Sequence, residues 1–195
     1  MGRIKSALEI ALEKTETVKG DKTTINQFES KQKGKKLANE FLGDPKKSLE
    51  DEIKKCPKDE KESLKSGIYD VLVTQLCLPD TEEDLARVET AAKGMQIVLN
   101  DGRFNNLVKQ LSQILHQYMN EAAQYEEAIK RQYEPKLKQK EDEIARRLGR
   151  KVVLDPFQDP EFVTFYNQNM NALKENYQAA INQVKETATN IRNKA

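Results

Sequence analysis

The sequence predicts an all-α protein: a helical bundle joined to a long antiparallel coiled-coil helical hairpin. Three observations carry that prediction. Two long runs, Arg103–Leu148 and Asp159–Lys194, repeat apolar residues at steps of three and four, the spacing of one helix face. The composition is 37% hydrophobic and 33% charged with no Trp, which suits helices with a wide solvated face. No useful length of chain alternates apolar and polar residues as a half-buried strand does.

Residues 3–19 read as a first helix, with Ile4, Ala7, Leu8, Ala11, Leu12 and Val18 on one face and a stop at Gly20 and Asp21. Such a stripe ordinarily packs on its own protein; the other reading is an arm that docks on another subunit. A second helix over 23–42 places Ile25, Phe28, Leu37, Ala38, Phe41 and Leu42 inward. Its middle, Glu29–Lys36, sets Lys31, Lys33, Lys35 and Lys36 around Gly34. It reads as a solvated stretch first and an anion patch second, because the spacing matches no phosphate loop.

Gly43 closes that helix. Asp44 and Pro45 read as a cap and a first-position proline, opening a short helix to Cys56 with Leu49 and Ile53 inward. Pro57 restarts the chain. Lys58–Cys77 carries Leu64, Ile68, Val71, Leu72 and Leu76 behind an acidic first turn, as the helix dipole favours. Leu78-Pro79-Asp80 is a turn. Thr81 with Asp84 forms a capping box with Asp in place of Glu. The helix it opens carries Leu85, Val88, Ala92, Met95, Val98 and Leu99 and stops at Asn100-Asp101-Gly102. The expected organisation is an N-terminal helical arm or hairpin over 1–43, a short-helix bundle over 44–102, and a long antiparallel hairpin over 103–195 with its turn at 149–159.

Within the hairpin, Pro135 interrupts the first run, but the apolar face resumes in phase, which predicts a kink rather than a break. Gly149 reads as a C-cap, Pro156 stops any strand begun by Val152, Val153 and Leu154, and Asp159-Pro160 starts the return helix. Pairing outward from a short turn sets Asp159 near Leu148 and Lys194 near Ile114. Arg103–Gln113 is then left for the amino-terminal half to cover.

Charge and chemistry exclude more than they assign. With 33 basic and 32 acidic residues the net charge is +1, which argues against nucleic acid as a partner; no helix-turn-helix, RNA-binding aromatic motif or zinc finger is present. Cys56 and Cys77 have neither metal nor redox-pair spacing and read as reduced, partly buried thiols of a cytoplasmic protein. Glutamates interrupt the amino terminus where a signal peptide would be apolar, and no transmembrane run is present. The single histidine, His116, reads as a surface residue, not a ligand, and no nucleophile–base arrangement is legible. Neither a cofactor nor enzymatic activity is expected. Glu134–Lys138, Asp142–Arg146 and Glu143–Arg147 account for much of the charge as i,i+4 pairs.

The most suggestive patch surrounds the hairpin turn. Lys130–Lys151 holds nine basic and four acidic side chains, and Val152, Val153, Leu154 and Phe157 follow. Arg146, Arg147, Arg150, Lys151, Val152, Val153, Leu154 and Phe157 are therefore the candidate interaction residues, a basic neck with an apolar tip. The bland alternative is a tip folded back over the helix ends among solvated bases. The stretches RIKSALEIALEKTE, EPKLKQKEDEIARRLGRKVVLDP and DPEFVTFYNQN resemble a bacterial family of all-helical proteins without an assigned function. That resemblance covers most of the chain and implies no catalytic residue. The expected role is a non-enzymatic protein-interaction or scaffold protein with an unidentified protein partner. Self-association through a long apolar stripe is a further expectation. The alternative is binding of an anionic polymer or membrane surface through 130–151.

Overall fold

The computed structural model describes the backbone of residues 7–194 and the side chains of residues 24–194. Among them every regular element is helical: α1 (Ala7–Gly43), α2 (Leu49–Lys55), α3 (Lys58–Leu72), α4 (Glu82–Leu99), α5 (Gly102–Leu148) and α6 (Pro160–Arg192). Single 3-10 turns follow α3 at Val73–Gln75 and precede α6 at Pro156–Gln158. The protein is all-α, as the sequence predicts. None of the described helices is long and apolar enough to cross a membrane.

Most helix ends follow local chemistry. Thr81 and Asp84 exchange bonds at the start of α4: Asp84 N–H donates to Thr81 Oγ1 at 3.1 Å and Thr81 N–H to Asp84 Oδ2 at 3.1 Å. Asn100, at φ 47°, ends α4 in the left-handed region that Asn tolerates. Gly149, at φ 66°, ends α5 in the same way, its N–H on the Ala145 carbonyl at 2.9 Å. One start differs from expectation. The cap of α2 is Ser48, whose hydroxyl accepts Asp51 N–H at 3.2 Å. Asp44 instead closes a turn, accepting Lys46 N–H on its carboxylate.

The expected break at Gly20-Asp21 does not occur; α1 is one helix from Ala7 to Gly43. A single interior glycine costs about 1 kcal/mol, too little to stop a helix of this length. Residues 3–6 of the predicted first helix lie outside the described residues, as do the side chains of its apolar stripe.

The chain divides into two compact units: Met1–Leu76 with Glu89–Asp101, and Cys77–Val88 with Gly102–Ala195. In the first, α1 crosses α3. The buried stripe of α1 there is Ser30, Gly34, Ala38 and Phe41. This corrects the reading of Glu29–Lys36 as a solvated stretch. A Cβ at Gly34 would overlap the Leu64 carbonyl oxygen, and one at Gly67 would overlap that of Lys31. The two backbones therefore touch at paired glycines, and the lysines fan out on either side. Ser30 donates to Glu60 at 2.5 Å and Lys31 pairs with Asp70 at 2.9 Å, which fixes the crossing laterally. Below it Phe41, Leu64, Ile68, Leu72 and Met95 are buried. Gly94 makes room for Leu72 and Phe41: a Cβ would lie 2.7 Å from one and 2.9 Å from the other. Ile25 and Phe28, expected inward, are 55% and 61% exposed because the stripe that packs is the small-residue one.

Glycine at the crossing is the testable element. Gly34→Ala or Gly67→Ala forces two backbones apart and is expected to cost about 3 kcal/mol, as overpacked contacts do. Gly43→Ala, with nothing within 4 Å of its Cβ, serves as the control and is expected to change stability little. Urea midpoints of the three variants decide it; equal midpoints would refute the close crossing.

Candidate functional site

The candidate residues are held by the pairing of α5 and α6, so the geometry begins there. Contacts run in opposite chain directions: Tyr177 meets Tyr118 and Glu121, Tyr166 meets Glu126, and Phe162 meets Tyr133. Ile129, Tyr133, Phe162 and Met170 form a buried cluster, with Leu137, Phe165, Tyr166 and Leu173 packed against it. Tyr133 and Leu137 flank Pro135 and join the same cluster, which offsets the roughly 3 kcal/mol cost of an interior proline. The helix accordingly continues through Pro135.

Asp159 locks the register. It is 8% exposed and caps α6 by accepting Glu161 N–H at 3.0 Å. Its other oxygen accepts Lys140 Nζ at 2.7 Å and the Tyr133 hydroxyl at 3.0 Å. Lys140 also reaches Glu161, and Lys136 reaches Glu161 at 3.2 Å. The Lys140 ammonium holds the Asp159 carboxyl below its usual range despite burial, and Asp159 in turn raises Lys140.

The pairing expected from a minimal turn is thereby corrected. Asp159 lies beside Lys140, not Leu148, about two helical turns back. The cause is the connection, which folds back along α5: Leu154 N–H donates to Glu141 at 2.8 Å. Phe157 sits edge-on to Phe162 and Tyr166, each at 5.2 Å between centroids, with Lys130 Nζ 5.8 Å from its ring. Continued from Tyr118–Tyr177, this register brings Ile191 level with Phe104. The start of α5 is then not left without a partner from α6.

The predicted residues separate into two groups. Leu154 and Phe157 are drawn back against α5 and α6, although Phe157 remains 46% exposed. Val152 is half-buried. Arg146, Arg147, Arg150 and Lys151 are exposed around the end of α5, with Leu148 at 57% and Val153 at 80% exposure among them. None of these four cations has a carboxylate partner among the described residues. The expected pairs Asp142–Arg146 and Glu143–Arg147 do not form; Glu134–Lys138 does, at 2.7 Å. Between residues 130 and 140 every lysine is occupied: Lys130 by Glu126 and Glu127, Lys136 by Glu161, Lys138 by Glu134, Lys140 by Asp159. Sequence spacing marks which charges can meet, but an exposed i,i+4 pair gains only tenths of a kcal/mol and need not close. The role of Asp159 as an ion-pair partner carries no sequence signal, because Lys140 reaches it only through the folded-back connection.

Among the described residues no three His, Cys, Asp or Glu side chains converge as metal ligands would. His116 is exposed. Neither cysteine is in a disulfide: Cys56 is half-buried, with burial pushing its thiol up, and Cys77 is exposed rather than partly buried as expected.

The profile of a family of unknown function (DUF6657) matches residues 50–190, and the chain belongs to that family. No curated protein and no solved structure matches it.

Two outcomes follow from the seam. Asp159→Ala removes the cap and the buried acceptor together and is expected to cost about 1–2 kcal/mol from the cap alone. Asp159→Asn keeps the cap and loses the charge, so its urea midpoint should fall between wild type and the alanine variant. Tyr177 gives a pH signature. Burial, then its 2.6 Å bond to Glu121, pushes the phenol up to about 12. An unfolded tyrosine titrates near 10, so the folded chain holds this proton more tightly. The stabilisation is complete below about pH 10 and is lost as pH rises to about 12. Tyr177→Phe should flatten that loss in unfolding free energies measured across this range; an unchanged slope would contradict the assignment.

Proposed function

We propose that this chain is a non-enzymatic protein-interaction or scaffold protein that docks an acidic surface of another protein on the end of α5 and the residues just after it. One observation carries the reading: four cations without a partner, Arg146, Arg147, Arg150 and Lys151, surround exposed Leu148 and Val153. No acidic residue lies between Ala145 and Leu154. Guanidinium groups bind carboxylates in two-pronged fashion and desolvate more readily than ammonium, which favours Arg at protein contacts. Apolar side chains at the centre of such a ring supply the desolvated area that fixes affinity, while the charges govern encounter and orientation.

In this reading α5 and α6 are an antiparallel coiled-coil hairpin whose turn region presents the surface. The apolar steps of three and four along both helices, and contacts repeated from Tyr118–Tyr177 to Lys140–Asp159, support it. Two cysteines outside any disulfide fit a reducing compartment such as the cytoplasm. The runner-up is an anionic polymer or membrane surface bound along 130–151. The same four cations favour it, but Lys130, Lys136, Lys138 and Lys140 are already committed to carboxylates, which shortens the basic track.

A photo-crosslinker placed at Val153 in the native cell tests the reading. An acidic protein should be captured, and Arg146→Glu with Arg147→Glu and Arg150→Glu should abolish capture while leaving the helical signal intact. Undiminished capture by the triple variant would refute docking through these cations. Capture of a second copy would replace the partner with self-association. Retention on heparin well above physiological salt, lost in the same variant, would favour the polymer.

A further inference from the structure

A cleft of about 320 Å³ in the second unit plays no part in the surface described above. Side chains of α5 and α6 line it, together with Pro79 and Asp80. Its volume falls at the lower end of small-molecule sites, which span about 300–1,000 Å³. Its most informative residue is Tyr118, only 2% exposed, whose hydroxyl has no hydrogen-bond partner among the described residues. A phenol buried this deeply normally finds one. No fully enclosed side-chain N or O among the described residues is left unpaired, so this hydroxyl keeps an opening to the outside, and Tyr118 lines the cleft. It feels the charges of Lys174 and Asp80, which line the same cleft.

The remaining groups define what would fit. Lys174 pairs with Asp80 at 3.1 Å, but Asp80 is 73% exposed and such a pair is cheaply exchanged. The other carboxylate at the cleft, Glu126, is occupied by Lys130 at 2.7 Å and the Tyr166 hydroxyl at 3.2 Å. A ligand cation therefore finds both carboxylates already paired, whereas a ligand anion finds one idle hydroxyl and an ammonium whose partner Asp80 is exposed, with the Asn167 and Asn171 amides beside them. Met119 and Met170 supply polarizable walls beside the Tyr166 ring, surfaces suited to a flat aromatic body. A phosphate, with no apolar face, would sit against the thioethers of Met119 and Met170.

We propose that the cleft binds a small aromatic carboxylate, its ring held by Met119, Met170 and Tyr166, its carboxylate accepting the Tyr118 hydroxyl and pairing with Lys174 in place of Asp80. The site is independent of the docking surface at the end of α5, and neither reading requires the other.

Benzoate titrated into the whole chain, followed by methyl NMR of methionine, provides the test. Met119 and Met170 should shift, while Met95, buried in the other unit, should not. Tyr118→Phe should weaken binding about fivefold, the usual effect of one lost hydrogen bond, and Lys174→Gln by about tenfold or more. Asp80→Asn, which frees Lys174 without touching the interior, should tighten it several-fold. Benzamide, the same ring without the charge, should bind at least about tenfold more weakly to the unaltered chain. The proposal is overturned if benzoate moves none of the three methyl signals, if it moves Met95 with the others, or if benzamide binds equally well. Asp80→Asn binding no tighter than wild type would overturn the role of Lys174, and a folded Tyr118→Phe with unchanged affinity would overturn that of the hydroxyl.

Discussion

Asp159 is the constraint on which the second unit depends. One carboxylate caps α6, accepts a tyrosine hydroxyl and neutralises a lysine from α5. Each bond taken alone is modest. Together they satisfy a buried charge that would otherwise be costly, and they can do so at one register only. Shifting α6 by a turn would take Asp159 away from Lys140 and the Tyr133 hydroxyl, and Phe162 away from the Tyr133 ring. The aromatic seam supplies the area, and the buried carboxylate rejects other alignments. This is the use of a buried ionic group that physical chemistry best supports: selecting an arrangement rather than adding net stability.

The first unit solves its packing differently. Its helices meet through Gly34 and Gly67, where missing side chains let backbone lie on backbone. Close approach brings many weak contacts into range over a short crossing, and it lets Lys31 reach Asp70 from the edge. Burial then passes to Phe41, Leu64, Ile68 and Leu72. One unit is specified by a charge that needs partners, the other by the absence of atoms.

The distribution of ion pairs along α5 has the most direct bearing on function. Lys130 and Lys138 are neutralised by glutamates of α5 itself, and Lys136 and Lys140 by Glu161 and Asp159, which the folded-back connection brings to them, whereas the last turn of α5 lies beyond those carboxylates. Unpaired cations beside exposed apolar side chains are a surface still able to gain by association. The cleft under Tyr118 has the same character on a smaller scale, a polar atom placed where only something outside the chain can satisfy it.

Much of the fold is legible in the sequence because it is local. The 3.6-residue period names the helices, and Thr81–Asp84, Gly149 and Asp159-Pro160 mark where three of them start or stop. The family assignment agrees with the resemblance seen in the sequence. The continuity of α1 through Gly20 was not legible, because one glycine is a small local cost set against a long cooperative helix. Nor was the burial of Gly34 among lysines, since only α3 gives that glycine a purpose. The eight candidate residues were identifiable as a basic and apolar cluster, but their separation into exposed Arg146–Lys151 and returning Leu154 and Phe157 was not. By itself the sequence determined which segments are helical and where most of them end, since those choices are made by neighbours within one or two turns. Only the tertiary structure decided which face packs, in what register, and which charges remain unspent, because each depends on groups brought together from distant parts of the chain.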